Sequence, residues 1–404
     1  MWWNLILYTT AALFLAMTLA ALWNFQWMRR LPILTGSAGV SPASVTGSAG
    51  ISPASDAGSA SVSPAAIRCS VVIAGRNEAS RIEQTIRCLL AQRGVAIQLI
   101  VVDDRSTDQT PAILRQLAAE DARLKVIRVD ALPDGWLGKC HACHVGASTA
   151  TGDWILFTDA DCWLKPDVIL RALLVAQREQ VAHVTLAPGT VAVTLGAKAW
   201  HLMFLISLAN WFSGVNRDRP KAHLGIGAFN LVRADAYRQC GGYQALRLTV
   251  VDDIKLGLLL RRAGHRTRGF LGAQDVECHW GATVADMVRI MEKNYFAVLD
   301  YRLGLALAGS LFTLVILGIL TAGLVGQTTA GLIAALSPLT LILPAAILAR
   351  RIGWNWTSAI LAPFMLPVFL YALLNSIYAT LRHGGIRWRD TFYPLATLRA
   401  GNVQ

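Results

Sequence analysis

C-S-V-V-I-A-G-R-N-E, residues 69–78, and Q-L-I-V-V-D-D-R-S-T-D, residues 98–108, decide how this chain folds. Each is a short β-branched or apolar run that stops at charged residues, the pattern of a strand buried on both faces. Between them, Glu78 to Gln92 carries apolar residues at helical spacing, and Thr110 to Asp121 does the same further on. Lys125 to Val129 and Trp154 to Thr158 supply two more strands, with a helix expected over His141 to Ala150. Strands alternating with helices predict an α/β fold around a mostly parallel, Rossmann-like, doubly wound sheet.

Three acidic clusters run through this stretch: Asp103-Asp104, Asp159-Ala160-Asp161 and Asp252-Asp253. The first two directly follow strands, so they project from the carboxyl ends of a parallel sheet, where open α/β sheets bind ligands. Carboxylates gathered there hold a cation or act as a base. For both carboxylates of D-A-D to approach one ligand, the chain must bend after Thr158. The string C-H-A-C-H, residues 140–144, also spells the C-x-x-C-H of haem attachment and clusters possible metal ligands. It falls inside a helical stretch and lacks a complete zinc set, so the expected reading is helix.

The rest of the chain is membrane-like. Of 404 residues, 54% are hydrophobic and only 15% charged, too apolar for an ordinary soluble protein and too interrupted to be all membrane. A net charge of +12 invites nucleic acid, but Lys and Arg fall largely at the ends of apolar segments, so the expected counterpart is anionic lipid and not nucleic acid. Seven cysteines form an odd set without framework spacing, which argues for a reducing compartment. Trp2 to Trp27 reads as a membrane anchor within residues 1–30. The Arg29-Arg30 pair beyond it places the following chain in the cytoplasm. Residues 31–67 form a linker that contains a threefold Gly/Ser/Pro-rich repeat, with a reach of about 30 Å as a flexible coil.

A domain over 68–302 then gives way to membrane segments over 303–381. Leu303 to Val325 and Leu332 to Leu348 are long enough to span. Ser358 to Tyr378 contains Pro363 and Pro367 and precedes Arg382, Arg387 and Arg389, so a simple span would export those charges. The segment is expected to be kinked or re-entrant, or to overrule the charge bias, which makes two to three C-terminal transmembrane helices before a basic tail over 382–404. Ala199 to Phe212 is too short to cross and is expected at the interface or beneath the site, where it could guide a lipid.

V-V-I-A-G-R-N-E, I-V-V-D-D-R-S-T-D, G-W-L-G-K and G-D-W-I-L-F-T-D-A-D, in that order, resemble the family 2 glycosyltransferases of the GT-A nucleotide-diphospho-sugar transferase fold. The resemblance spans roughly Cys69 to Leu303. G-W-x-G-K and the flanking membrane segments are most similar to lipid-acting members such as the hopanoid-associated, carotenoid-pathway and ceramide glucosyltransferases. It implies an inverting enzyme of the inner membrane, catalytic domain facing the cytoplasm, that moves a sugar from a nucleotide-diphosphate sugar to a hydroxyl of a membrane lipid. Mg2+ or Mn2+ is the implied cofactor.

Carried onto this chain, the resemblance implies that Arg76, Glu78 and Asp104, with Asp103, line the nucleotide pocket, and that Lys139 stands near the sugar or diphosphate. Carboxylates suit such a pocket because they accept hydrogen bonds from a pyrimidine N–H or from ribose hydroxyls. Asp161 is the implied metal ligand, with Asp159 beside it at the metal and the sugar nucleotide, because hard cations take oxygen ligands. Asp253 is the implied general base and Asp252 its neighbour, where the family usually carries Glu-Asp.

Ordinary roles compete with these: an ion pair at a helix start, a helix cap near Ser106, acids favoured by a helix dipole, a surface lysine. The Gln-x-x-Arg-Trp string of processive polysaccharide synthases does not follow the base. His279, Trp280, Arg289 and Lys293 occupy that region, and Arg289 and Lys293 are the candidates for a diphosphate contact. A synthase extending an exopolysaccharide is the second reading, and a catalytically silent membrane sensor of sugar nucleotides or assembly partner is the third.

Overall fold

The computed structural model describes residues 2–34 and 67–403, so the repeat reading over residues 35–66 lies outside the described residues. Helix α1 (Trp2–Phe25) comes first, then β1 (Arg68–Gly75), α2 (Ile82–Leu90), β2 (Ala96–Asp104), α3 (Thr110–Glu120), β3 (Leu124–Val129), α4 (Gly138–Ser148) and β4 (Trp154–Asp159). They are followed by β5 (Cys162–Leu164), α5 (Val168–Arg178), β6 (His183–Thr190), α6 (Leu195–Asn216), β7 (Asn230–Arg233), α7 (Ala234–Gln239), α8 (Gly242–Ala245), α9 (Asp252–Arg262) and β8 (Thr267–Cys278). The C-terminal part comprises α10 (Val284–Val298), α11 (Leu303–Gly326), α12 (Thr329–Leu336), α13 (Ile342–Arg351), α14 (Leu366–Arg382), the hairpin β9 (Gly385–Trp388) and β10 (Thr391–Pro394), and α15 (Leu395–Gly401).

Eight strands make one sheet in the order β3-β2-β1-β4-β7-β6-β8-β5. Four of its seven pairings are parallel, so the sheet is mixed and mostly parallel, as the alternation of strands and helices requires. This is the GT-A glycosyltransferase fold. The chain winds outward from β1 to β3 and then crosses back to lay β4 on the other side of β1, so the strand order reverses between β1 and β4. A crevice opens outside the carboxyl ends of strands at such a reversal. At the carboxyl ends of β1 and β4 stand Arg76 to Glu78 and Asp159 to Asp161.

Helix α2 buries Ile82, Ile86 and Leu89, spaced as one helical face, but begins four residues later than its apolar pattern suggests. Asn77 takes a left-handed φ of 55° and residues 78–81 form a turn, closed by Arg81 N–H donating to Glu78 O at 3.0 Å.

Four apolar stretches are long enough to cross a membrane: Trp2–Phe25, Leu303–Gly326, Thr329–Arg351 and Trp356–Arg382. One precedes the sheet and three follow it. The last two are broken by 3₁₀ turns over Ser337–Leu341, Trp356–Ala359 and Ala362–Met365, two of them containing Pro338 or Pro363, residues that remove a helical donor. Ser358 to Tyr378, expected to be kinked or re-entrant or to overrule the charge bias, thus contains a break in its helix, and the third span has one as well.

The amino-terminal helix is pinned to the domain. Leu271 N–H donates to Arg29 O at 2.8 Å, Arg29 pairs with Glu179 at 3.2 Å, and the buried Arg171 donates to Leu31 O at 2.8 Å and Pro32 O at 2.6 Å. The tail over 382–404 is also structured. Its hairpin and α15 bury Ile386, Tyr393, Leu395 and Leu398 in the same core as Tyr301 and Ile377.

Candidate active site

A cavity of about 1260 Å³ opens at the β1/β4 reversal. Arg76, Glu78, Asp104, Lys139, Asp159, Asp161, Asp252, Asp253, Arg289 and Lys293 all line it. Asp103 does not. Its carboxylate is buried behind the strand end, accepting from Arg128 Nη1 at 2.7 Å and from Ser106 N–H at 3.2 Å. Because β2 runs on through Asp104, the two aspartates are successive strand residues and point to opposite faces. One reaches the cavity and the other caps the turn beneath it.

Glycines let the cavity walls close in. A Cβ on Gly138 would run into the Asp104 carboxylate, which Arg105 grips through Nε at 2.7 Å and Nη2 at 3.0 Å. On the opposite wall, a Cβ on Gly227 would sit 2.7 Å from Asp159 Oδ2 and 3.4 Å from Lys139 Nζ.

Lys139, at the start of α4, gathers the acids. Its Nζ lies 2.7 Å from Asp159 Oδ1 and 3.6 Å from Asp252 Oδ1. Burial alone would lower the ammonium, but Asp159, Asp252 and Asp253 hold it well above its ordinary value, so it stays charged. Asp252 is buried and accepts from the Tyr243 hydroxyl at 2.8 Å. Asp253, next to it in the first turn of α9, accepts from Gly227 N–H at 2.8 Å and from Ile254 N–H at 2.9 Å. Burial, and then the charge of Asp252, push the Asp253 carboxyl up to about 6. That is the range of a carboxylate poised to take up a proton near neutrality.

Strand β4 continues through Asp159, one residue further than its apolar run, and the bend comes at Ala160 and Asp161. Burial, then the neighbouring Asp159, raise the Asp161 carboxyl above the usual carboxylate range. A carboxyl raised by the acid beside it is relieved by a divalent cation, so the oxygen donors of Asp161 and Asp159 fit a hard ion such as Mg2+ or Mn2+. The thiols of Cys162 and Cys278 stand 3.8 and 3.9 Å from Asp161 Oδ1. The C-H-A-C-H string lies in α4 with Cys140 and Cys143 in the core, Cys140 donating to Thr249 O at 3.4 Å.

Residues 70–241 match the glycosyl transferase family 2 profile. Over those residues the chain is similar to glycosyl transferase family 2. A 4,4'-diaponeurosporenoate glycosyltransferase of Staphylococcus haemolyticus is 27% identical over 48% of this chain and 51% of that protein. A beta-monoglucosyldiacylglycerol synthase of Nostoc sp. is 30% identical over 52% of this chain and 42% of that one. The chain thus spans about half the length of the curated relatives it matches. Among solved structures, a mannosyltransferase of Pyrobaculum calidifontis in complex with GDP-Man and Mn2+ superposes with a TM-score of 0.51 at 15% identity, over 94% of this chain and 98% of that one. At that identity the likeness is one of fold.

Beyond the acids, the cavity of the transferase domain continues between apolar walls. Phe204, Leu208 and Trp211 of α6, Ile290 and Tyr295 of α10 and Phe369 and Leu373 of α14 line it. The stretch Ala199 to Phe212 belongs to a 22-residue helix, longer than its sequence reading, and it lies against the site, one of the two places expected for it.

The sequence reading missed the tail. Trp388, Arg389 and Tyr393 of the C-terminal hairpin also line the cavity. The Tyr393 hydroxyl accepts from Gly138 N–H at 3.1 Å, and Trp388 lies under Lys293 with Nζ 3.9 Å from its ring centroid. Burial, then Lys139, lower the Lys293 ammonium to about 8. Arg289 is the weaker of the two diphosphate candidates, being 77% exposed at its side chain and paired with Asp286 at 3.1 Å. The signal that could have found the hairpin is R-W-R-D-T-F-Y, residues 387–393, where basic and aromatic residues alternate directly after an apolar helix.

Proposed function

We propose that this protein is an inverting, metal-dependent glycosyltransferase that moves a sugar from a nucleotide-diphosphate donor to a hydroxyl of a membrane lipid. The observation that carries the reading is one cavity in which a cluster of carboxylates continues into apolar walls formed by α6, α10 and α14. A polar, charged end suits a sugar nucleotide, and an apolar end beside helices long enough to cross a membrane suits an acyl or isoprenoid chain. The names of the curated relatives, one acting toward a carotenoid acid and one toward a diacylglycerol, support a lipid acceptor. The nucleotide and metal in the Pyrobaculum structure's name support the donor class and Mn2+ or Mg2+.

In this reading Arg76, Glu78 and Asp104 receive the nucleoside, and Asp161 with Asp159 holds the cation. Bound there, the cation would neutralise the diphosphate leaving group. Lys139 keeps Asp159 and Asp252 fixed as anions beside the sugar. Asp253 takes the acceptor's proton as the hydroxyl oxygen attacks the anomeric carbon from the face opposite the nucleotide, which inverts that carbon. The membrane segments hold the protein in the inner membrane as a multi-pass protein with the transferase domain on the cytoplasmic side, where Arg29-Arg30 and the sugar nucleotides are.

The test is transfer by the purified full chain in detergent, with UDP-sugars and GDP-sugars, Mg2+ or Mn2+, and total lipid extract, read by mass spectrometry of the lipid fraction. A lipid gaining a single hexose supports the reading. Long polymer, or neither transfer nor donor hydrolysis under any pairing, refutes it.

A further inference from the structure

The hairpin at the end of the chain stands on the residues that end β1. Arg389 ion-pairs with Glu78, while Asp390 takes Arg76 Nη2 at 3.1 Å and Thr391 Oγ1 accepts from Arg76 Nη1 at 3.4 Å. One loop thus supplies a cation to the acid and an acid to the cation. With Trp388 opposite Thr391 in register, Arg389 and Asp390 are a two-residue hairpin loop. Arg389 has a φ of 54°, the left-handed conformation that such loops ordinarily give to glycine at this position. A side chain held there in spite of its Cβ points to a use for that side chain. Behind the tip, Ile386 and Tyr393 are buried and Leu395 N–H donates to Gly384 O at 2.9 Å, so the loop is presented from a packed base.

We propose that this hairpin tip is part of the donor site, with Arg389 exchanging Glu78 for the diphosphate of a bound nucleoside diphosphate. The proposal rests on the donor class proposed above. Of the other cations lining the cavity, Arg81 and Lys293 have no carboxylate at contact distance among the described residues, Lys293 packing on the Trp388 ring beside the tip, whereas three are held by acids. Arg105 is gripped through two nitrogens by Asp104, Lys139 lies between Asp159 and Asp252, and Arg289 turns outward to Asp286. Arg389 has a single acidic partner, Glu78, and both line the same cavity as Asp161, the residue read as the metal ligand. A diphosphate held at Asp161 would share that cavity with the guanidinium, whose planar fork matches two phosphate oxygens. Exchanging one anion for another keeps the guanidinium paired throughout, which avoids stranding a charge. Glu78, once released, is free to accept from the nucleoside.

The test uses the full chain in detergent and isothermal titration with UDP and with GDP in Mn2+, beside uridine and guanosine as phosphate-free probes. Arg389→Gln is expected to weaken the diphosphate that wild type binds by about tenfold or more, with nucleoside binding unchanged. Arg389→Gly removes the guanidinium while suiting the left-handed backbone, so an equal loss in this variant cannot come from a misfolded turn. Wild-type diphosphate affinity in Arg389→Gly, or an equal loss for nucleoside and diphosphate, overturns the proposal. Failure of wild type to bind either diphosphate overturns the donor reading itself, and this proposal with it.

Discussion

Asp253→Asn is the most informative perturbation of this site, because the structure says what it does besides removing a base. The wild-type carboxyl is pushed up to about 6 by burial and by Asp252. At pH 7 roughly nine tenths of it is ionised, at pH 6 about half, and at pH 5 roughly a tenth, so turnover should rise with pH through about 6 and level off near neutrality. Replacing the carboxylate should cost about 10²–10⁴-fold in the chemical step and abolish that acid limb. Both carboxylate oxygens accept backbone N–H groups, from Gly227 at 2.8 Å and Ile254 at 2.9 Å. An asparagine satisfies one and turns its own N–H2 toward the other, a local cost of about 1–3 kcal/mol. Thermal unfolding will register that cost, so stability and donor affinity are measured beside kcat with acceptor saturating. A kcat within threefold of wild type refutes Asp253 as the base. An acid limb near pH 6 that survives in the variant assigns it to another raised carboxyl, with Asp161 the first candidate.

Asp161→Ala should abolish the Mn2+ dependence of UDP or GDP binding and leave unfolding little changed. Isothermal titration with and without chelator checks this, and full binding in chelator would dismiss the metal role. Gly227→Ala should drive a methyl to within 2.7 Å of Asp159 Oδ2, costing about 1–3 kcal/mol and most of the turnover. A kinetically normal Gly227→Ala would show that this wall yields freely. For topology, a membrane-impermeant maleimide should label half-buried Cys88 only after cells are permeabilised, whereas buried Cys69, its thiol pushed up to about 12 by burial, should stay unlabelled in the folded protein. Mass spectrometry of Cys88 adducts from intact cells would place the transferase domain outside.

The strands were legible because a buried parallel strand must be apolar on both faces, and C-S-V-V-I-A and Q-L-I-V-V have no other use for such runs. The acids at their ends were legible for the complementary reason, since a carboxylate there needs a partner. Local pattern does not fix which way each acid points. Asp103 and Asp104 are told apart only by whether β2 ends before or after them, a one-residue matter that inverts the face. The hairpin was illegible for another reason. Its residues sit some three hundred positions after Glu78 and Arg76 and meet them only because α14 and α10 carry the tail back over the sheet. A long-range pairing of that kind leaves no period in the sequence.

The electrostatics of the cavity separate its acids by task. Asp104 is neutralised by Arg105, Asp159 and Asp252 by Lys139, and Glu78 by Arg389. Among the described residues, Asp161 and Asp253 have no ion-pair partner at contact distance, only thiols in one case and backbone N–H groups in the other. Both carboxyls are raised by burial and by the acid beside them. A raised carboxyl is an anion held at a cost, and that cost is relieved either by a cation or by a proton. Asp161 stands just past the end of β4 beside Asp159 on the cavity wall, where a divalent ion that also meets phosphate would be the relief. Asp253 is fixed by two backbone donors at the start of α9, with Asp252 and Lys139 completing its surroundings, so a proton is the relief left to it. In the proposed mechanism the same excess of negative charge therefore makes one aspartate the ligand and the other the base, according to what each can reach.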